Sequence, residues 1–146
     1  MAEVENNLLW LAGFFDARGY VKLWDDKSQH GHYRLIVYMR CSSVKMLTKL
    51  RDQWGGSVYQ LKHSARWIIY GNNAARLLRD LQPYLRVKAN MVRNCLDLRV
   101  FQKEAVIKRL NRHTPYPEEL KEINRRVQLI RQASTGTWQN YHQVLL

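Results

Sequence analysis

Acidic residues are scarce: 12 Asp plus Glu stand against 24 Lys plus Arg in 146 residues, leaving a formal net charge of +12 at neutral pH. Enzymes that act on small neutral metabolites have no use for such a surplus, whereas each Lys or Arg placed beside a phosphodiester backbone adds affinity. Nucleic acid is therefore the leading partner, and an anionic membrane surface the weaker rival. Cysteine is also rare. The two residues, Cys41 and Cys95, cannot supply a disulfide framework or a four-ligand metal site, and neither sits in a CxxC or other metal-ligand spacing. Both read as buried structural thiols in a reducing compartment. Long apolar runs are missing as well. The start MAEVENNLLWLAGFF lacks a basic leader region and is soon interrupted by Asp16 and Arg18, and no stretch approaches the roughly 20 apolar residues that cross a bilayer. A soluble, intracellular protein with no membrane partner is expected. With 3 Pro and 7 Gly there is no low-complexity linker, and 46% hydrophobic residues suffice for one compact core.

Val4 to Ala17 carries Leu8, Leu9, Leu11, Ala12, Phe14 and Phe15, so densely apolar that a helix there is buried. Gly19 follows, and Tyr20 to Asp26 then alternates, with Val21 and Leu23 on one side and Tyr20, Lys22 and Trp24 on the other. DDKSQHGH reads as a hairpin loop. His32 to Cys41 alternates again, setting Tyr33, Leu35, Val37, Met39 and Cys41 against His32, Arg34, Ile36, Tyr38 and Arg40. Ser42 or Ser43 caps a helix bearing Val44, Leu47, Leu50 and Trp54, which stops at Gly55-Gly56. Ser57 to His63 and Ala65 to Gly71 predict a second hairpin, and Asn72 or Asn73 caps a helix from Ala74 to about Gln82. Val87 to Arg109 predicts a long amphipathic helix. His113 to Pro117 breaks it, and Glu118 to Gln132 predicts a last polar helix with acids in its first turn. The tail from Ala133 shows no clear period. One domain over residues 1–132 and a C-terminal tail over 133–146 result.

The polar strand faces hold Lys22, Trp24, Arg34, Tyr38, Arg40, Gln60, Lys62, Arg66 and Tyr70, a set nearly free of acids. Basic groups interleaved with flat rings and an amide offer phosphate neutralisation together with donors for base edges. A two-stranded ribbon fits the major groove of duplex DNA.

Leu11-Ala12-Gly13-Phe14-Phe15-Asp16-Ala17-Arg18-Gly19 resembles the nonapeptide that names the LAGLIDADG homing endonucleases. The α-β-β-α-β-β-α order, the Trp54 to Tyr59 helix-to-strand turn and the segment Leu81 to Lys88 resemble single-motif members too, so the likeness runs over about residues 8 to 132. It implies an α+β fold with an αββαββα core, an antiparallel sheet saddle and C-terminal helices. With one copy of the motif it also implies a homodimer on a pseudo-palindromic DNA site, its motif helices packed through Leu9, Ala12, Gly13 and Asp16.

The family's metal-binding carboxylate falls at the position of Arg18. A guanidinium cannot coordinate a cation, and in a homodimer both copies are lost at once. Asp16 lies two residues earlier, about 200° round the helix, and has a capping or pairing role as its expected job. Lys88 matches a basic residue that lies near the scissile phosphate in similar proteins, although a surface lysine at a helix start is an equal reading. The expectation is a sequence-specific, double-stranded DNA-binding protein of this family with metal-dependent cleavage lost and no cofactor. Two other readings fit the same residues: an active, Mg²⁺-dependent endonuclease, and an RNA-binding splicing cofactor of the maturase kind. The location that goes with them is the cytoplasm or nucleoid, or an organelle matrix if the gene lies in an intron.

Overall fold

The computed structural model describes residues 2–26, 32–108 and 115–145, with side chains over 7–26, 32–108 and 115–133. Helix α1 spans Ala2–Arg18 and passes into strand β1, Gly19–Asp25, with no turn between them. Then come β2 (Tyr33–Cys41), α2 (Val44–Trp54), β3 (Ser57–Gln60), β4 (Ala65–Tyr70), α3 (Gly71–Leu81), a 3-10 turn over Gln82–Tyr84, α4 (Ala89–Lys108) and α5 (Pro117–Leu145). The strands make one antiparallel sheet in the order β1-β2-β4-β3, so two hairpins lie side by side and meet at β2 and β4.

Period-two patterning places the sheet between a core and an open face. Leu23, Leu35, Val37, Met39, Ala65, Trp67 and Ile69 point to one side and are buried. They meet Leu11 and Phe15 of α1, Leu47 and Leu50 of α2, and the stripe Ala74, Ala75, Leu77, Leu78 and Leu81 of α3 in one cluster. Each large side chain wholly removed from water contributes about 1.5–3 kcal/mol, which makes this cluster the main source of cohesion.

The signals that bracket α2 act as expected. The Ser43 hydroxyl accepts the Met46 N–H at 3.2 Å, and Gly55 ends the helix at φ 89° while its N–H donates to the Arg51 carbonyl at 2.7 Å. Two indoles tie that end down: Trp67 Nε1 donates to the Gly55 carbonyl (2.8 Å) and Trp54 Nε1 to the Asp80 carboxylate (3.3 Å). Gly56 also has φ 89°, and a Cβ there would overlap the Ile68 carbonyl.

Three expectations are corrected. Strand β3 ends at Gln60 rather than His63, because the Leu61 N–H turns to donate to the Ser64 carbonyl (2.7 Å) and closes a tight connection. Helix α3 begins at Gly71 with no side-chain cap. Gly71 adopts φ 57° where strand becomes helix, and Asn72 turns its amide to α4 instead. Helix α5 does not stop near Gln132 but continues to Leu145. Met1, Lys27 to Gly31 of the expected hairpin connection, Arg109 to Thr114 with most of the expected helix break, and Leu146 lie outside the described residues.

The last two helices brace the first hairpin. Ile123, Val127 and Ile130, spaced i, i+4, i+7, bury the inner stripe of α5, and α5 packs on α4. Buried Gln102 accepts the Tyr33 N–H (2.9 Å) and donates to the Tyr33 carbonyl (3.4 Å), while Arg131 donates to the Leu23 carbonyl (3.3 Å) of edge strand β1.

Cys95 is fully buried, and burial pushes its thiol up to about 12. Cys41 ends β2 at the sheet margin and is only half-buried, contrary to expectation, with its thiol donating to the Ser43 carbonyl at 3.4 Å. In the folded protein at pH 8 a maleimide should therefore modify Cys41, with Cys95 reacting only after denaturation. Equal rates at both thiols, read by peptide mass spectrometry, would contradict this packing.

Candidate nucleic-acid interface

The face of the sheet turned away from the helices is defined by register. Along it, Trp24 lies opposite Arg34, Lys22 opposite Ile36 opposite Tyr70, Tyr20 opposite Tyr38 opposite Ile68 opposite Ser57, and Arg40 opposite Arg66 opposite Tyr59. Four of these twelve residues are cationic, five are aromatic and none is acidic. Tyr20 and Tyr38 stack at 5.0 Å, and the Arg34 guanidinium lies 5.6 Å from the Trp24 ring centre, so several rings are held in place by their neighbours. Arg40 and Arg66 face each other with like charge, an arrangement that destabilises a sheet when nothing neutralises it. The Arg66 Nε–H is buried and meets no acceptor.

Of the nine residues expected on this face, Lys22, Trp24, Arg34, Tyr38, Arg40, Arg66 and Tyr70 occupy it. Gln60 does not. It pairs with Ala65, on the helix side of the sheet at its edge, and Lys62 lies in the connection after β3. Tyr59, 47% exposed, takes the place beside Arg66. Val58 is the available signal, since the one strongly apolar residue of β3 faces Trp67 in the core and so sets the parity of its neighbours.

At one end of the sheet α1 enters β1 directly, so its last carbonyls need donors from elsewhere. Lys88 supplies one, and a second for the first residue of β1. Its ammonium reaches the Phe15 carbonyl (3.1 Å) and the Gly19 carbonyl (2.6 Å), a cation at the negative end of the helix, and lies 5.6 Å from the Phe15 ring centre. Asp16 works in the opposite direction. Its carboxylate accepts the Arg86 N–H and the Lys88 N–H, both at 2.9 Å. That resolves why an acid is tolerated at the unfavourable end of α1, and it places Asp16 in the structural role expected of it. Burial lowers the Lys88 pKa from the ordinary lysine value, and the charge of Asp16 opposes the shift. Gly19 is required at the crossing, because a Cβ there would overlap the Phe15 ring.

The outer side of α1 is apolar and open. Leu9 and Trp10 are each 51% exposed, Gly13 has nothing within 4 Å of where a Cβ would stand, and Ala17 is exposed one turn on. Ala12, expected on this surface, is fully buried within the chain and cannot meet a partner. Trp10 stacks on Phe14 at 5.7 Å and is the residue that sequence reasoning omitted.

Arg18 is exposed at the end of α1, next to Gly19, whose strand partner Met39 adjoins Arg40. The groups here do not fit a divalent cation. Of the described residues, Asp16 is the one carboxylate at this end of α1, its two oxygens accept backbone N–H groups, and the exposed Arg18 guanidinium two residues on repels cations and cannot ligate one. Among the described residues, no three His, Cys, Asp or Glu side chains come together as a metal site.

Helices covering one face of a four-stranded antiparallel sheet, with an acid-free basic and aromatic opposite face, define an α+β protein built to present that sheet. The homing endonuclease I-CvuI in complex with its target in the presence of calcium has this fold, with a TM-score of 0.71 over 91% of this chain and 85% of that one at 17% identity. The archaeal intron-encoded homing endonuclease I-Vdi141I complexed with DNA matches with a TM-score of 0.69 over 89% and 85% at 11% identity. The I-SmaMI LAGLIDADG homing endonuclease bound to cleaved DNA matches with 0.62 over 82% of this chain but 42% of that one, at 16% identity. No protein-family model and no curated protein matches the sequence. The fold is that of the LAGLIDADG homing endonucleases.

Removing either half of the clasp should weaken the fold. Asp16→Ala strands two backbone donors and Lys88→Met two carbonyls, each costing about 2 kcal/mol at this half-open site. The double variant should cost less than the sum, and strictly additive urea-denaturation values would contradict the clasp. The pH dependence has a definite sign. With its folded pKa lowered, Lys88 adds, beyond the bonds it makes at neutral pH, a further increment of stability that is complete above the unfolded lysine value of about 10.4 and is lost as pH falls through the folded value. Lys88→Met should lack that alkaline rise.

Proposed function

We propose that this chain is a sequence-specific, double-stranded DNA-binding protein that acts as a homodimer and has lost metal-dependent cleavage. The observation that carries the reading is the sheet face: Lys22, Arg34, Arg40 and Arg66 interleaved with Tyr20, Trp24, Tyr38, Tyr59 and Tyr70, with no acid among them. Cations at this density neutralise phosphates. The arginine forks reach guanine edges, and the rings pack on sugars and thymine methyl groups. The unpaired charge of Arg40 and Arg66 then has a purpose, since duplex DNA supplies the acceptors that the protein omits.

Dimerisation follows from the open stripe on α1. Leu9, Trp10, Gly13 and Ala17 put two large apolar side chains and two small residues on one side of a helix, which lets a second copy approach closely about a twofold axis. Two copies would set two basic sheet faces in line on one duplex. Near that axis each protomer offers Arg18 and an Asp16 engaged by backbone donors, a set suited to holding phosphate and unsuited to holding Mg²⁺.

The deciding experiment is a plasmid-cleavage assay in Mg²⁺ beside duplex binding by fluorescence anisotropy. Tight binding without cutting is the expected result, and efficient cutting by the unaltered chain overturns the loss of catalysis. Arg18→Asp should restore cutting, and cutting by that variant alone supports the reading. Log affinity should fall steeply with log salt, and Arg34→Ala, Arg40→Ala and Arg66→Ala should each cost about 1–3 kcal/mol and relax preference at one base pair. Structured RNA outcompeting duplex DNA would favour the splicing-cofactor reading instead. Leu9→Asp with Trp10→Asp should yield monomers in sedimentation equilibrium and weaken binding at least tenfold.

A further inference from the structure

Resting on the DNA-binding reading of the sheet face, we propose that this face also dictates the order of bases in each arm of the target: two adjacent G·C pairs at one end, a single G·C pair at the other, and A·T pairs between them. The forked donors stand only in the end rungs of the face, Arg34 opposite Trp24 in one and Arg40 opposite Arg66 in the other. Arg34 and Arg40 are six residues apart on β2, about 20 Å at roughly 3.4 Å per residue. A base pair occupies about 3.4 Å of the duplex axis, and the path along the groove is longer than the axis, so the two ends address base pairs about four to six steps apart.

The end rungs differ in what they can read. Arg40 and Arg66 are direct partners across β2 and β4, where side chains start about 4.5–5.5 Å apart. That interval is nearest to one base-pair step, and their mutual repulsion parts the two guanidiniums onto the O6 and N7 edges of neighbouring guanines. Arg34 stands alone. Its guanidinium lies 5.6 Å from the Trp24 ring centre, which orients a single fork for a single base pair. The two middle rungs carry Ile36, Tyr70, Tyr20, Tyr38 and Ile68, with Tyr20 and Tyr38 stacked at 5.0 Å. This surface gains from thymine methyl groups, and it supplies neither the forked donors that suit guanine nor the carboxylate that suits cytosine. Lys22, the cation of the middle rungs, stands on edge strand β1 at the border of the face, where the phosphates of the groove wall run.

The test is selection of bound duplexes from a randomised library by the full chain at fixed salt, read by sequencing. Two G·C blocks, one double and one single, are expected about four to six base pairs apart with A·T preference between them, and replacing a G·C pair in either block should weaken binding about fivefold or more. Arg34→Gln should turn the single position toward adenine and leave the double block unchanged, and Arg40→Gln should do the reverse, with melting temperatures confirming that both variants fold. Lys22→Met should weaken binding to all sequences alike. G·C preference in the middle, a single block, or Arg34→Gln and Arg40→Gln acting on the same base pair would overturn the order. Tight, salt-sensitive binding without base preference overturns the order and leaves the DNA-binding reading standing, whereas absence of binding to any duplex overturns both.

Discussion

The reciprocal clasp between Asp16 and Lys88 holds the point on which the remaining structure turns. Helix α1 becomes strand β1 without a connecting turn, so its C-terminal carbonyls and the entry of the first strand must be secured by a distant segment. Lys88 donates to two carbonyls on one side of the junction, and Asp16 accepts two N–H groups on the other, across a separation of about 70 residues. Bonds with a charged partner are the stronger kind, and here each charge is spent on backbone groups that would otherwise lack partners. The clasp fixes the direction in which β1 leaves α1 and thereby aligns the whole first hairpin with the open side of the helix.

The same clasp bears on chemistry. The Asp16 carboxylate is engaged by two backbone donors, and Arg18 puts a positive charge two residues further along the helix. Near this end the open face of the sheet carries Arg40 and Arg66 opposite each other, with no acid on that face to balance them. Folding tolerates this because the apolar side of the sheet supplies the cohesion. Leu35, Val37, Met39, Trp67 and Ile69 are wholly buried, which leaves the opposite side free to accumulate charge. Concentrating repulsion on one face is a stability cost that the apolar core offsets.

Stabilising contacts and surface charge are also divided between layers. Indole donors from Trp54 and Trp67, the Gln102 bridge to Tyr33 and the Arg131 bond to Leu23 all lie on the helix side or at the sheet edge. The polar face, by contrast, is organised by stacking and by cation–ring contacts that keep side chains extended toward solvent. Substitution on that face therefore has little effect on the core.

Local patterning determined much of this in advance. The alternation of Tyr20 to Trp24 and Tyr33 to Cys41, the Ser43 cap and the Gly55-Gly56 stop each act over a few residues, so the sequence alone specified the order of elements and seven of the nine residues assigned to the polar face. It misplaced Gln60 and missed Tyr59 because β3 is only four residues long, too short for its parity to be averaged from a pattern. It placed Ala12 on the outer side of α1, whereas the packing of α1 against the core buries Ala12 and leaves Trp10 outside. What tertiary structure alone decided are contacts between residues far apart in the chain: Asp16 with Lys88, Arg99 with Asn72, and Arg40 opposite Arg66. No periodicity encodes such pairs, because they depend on how rigid elements come together once their apolar faces are buried.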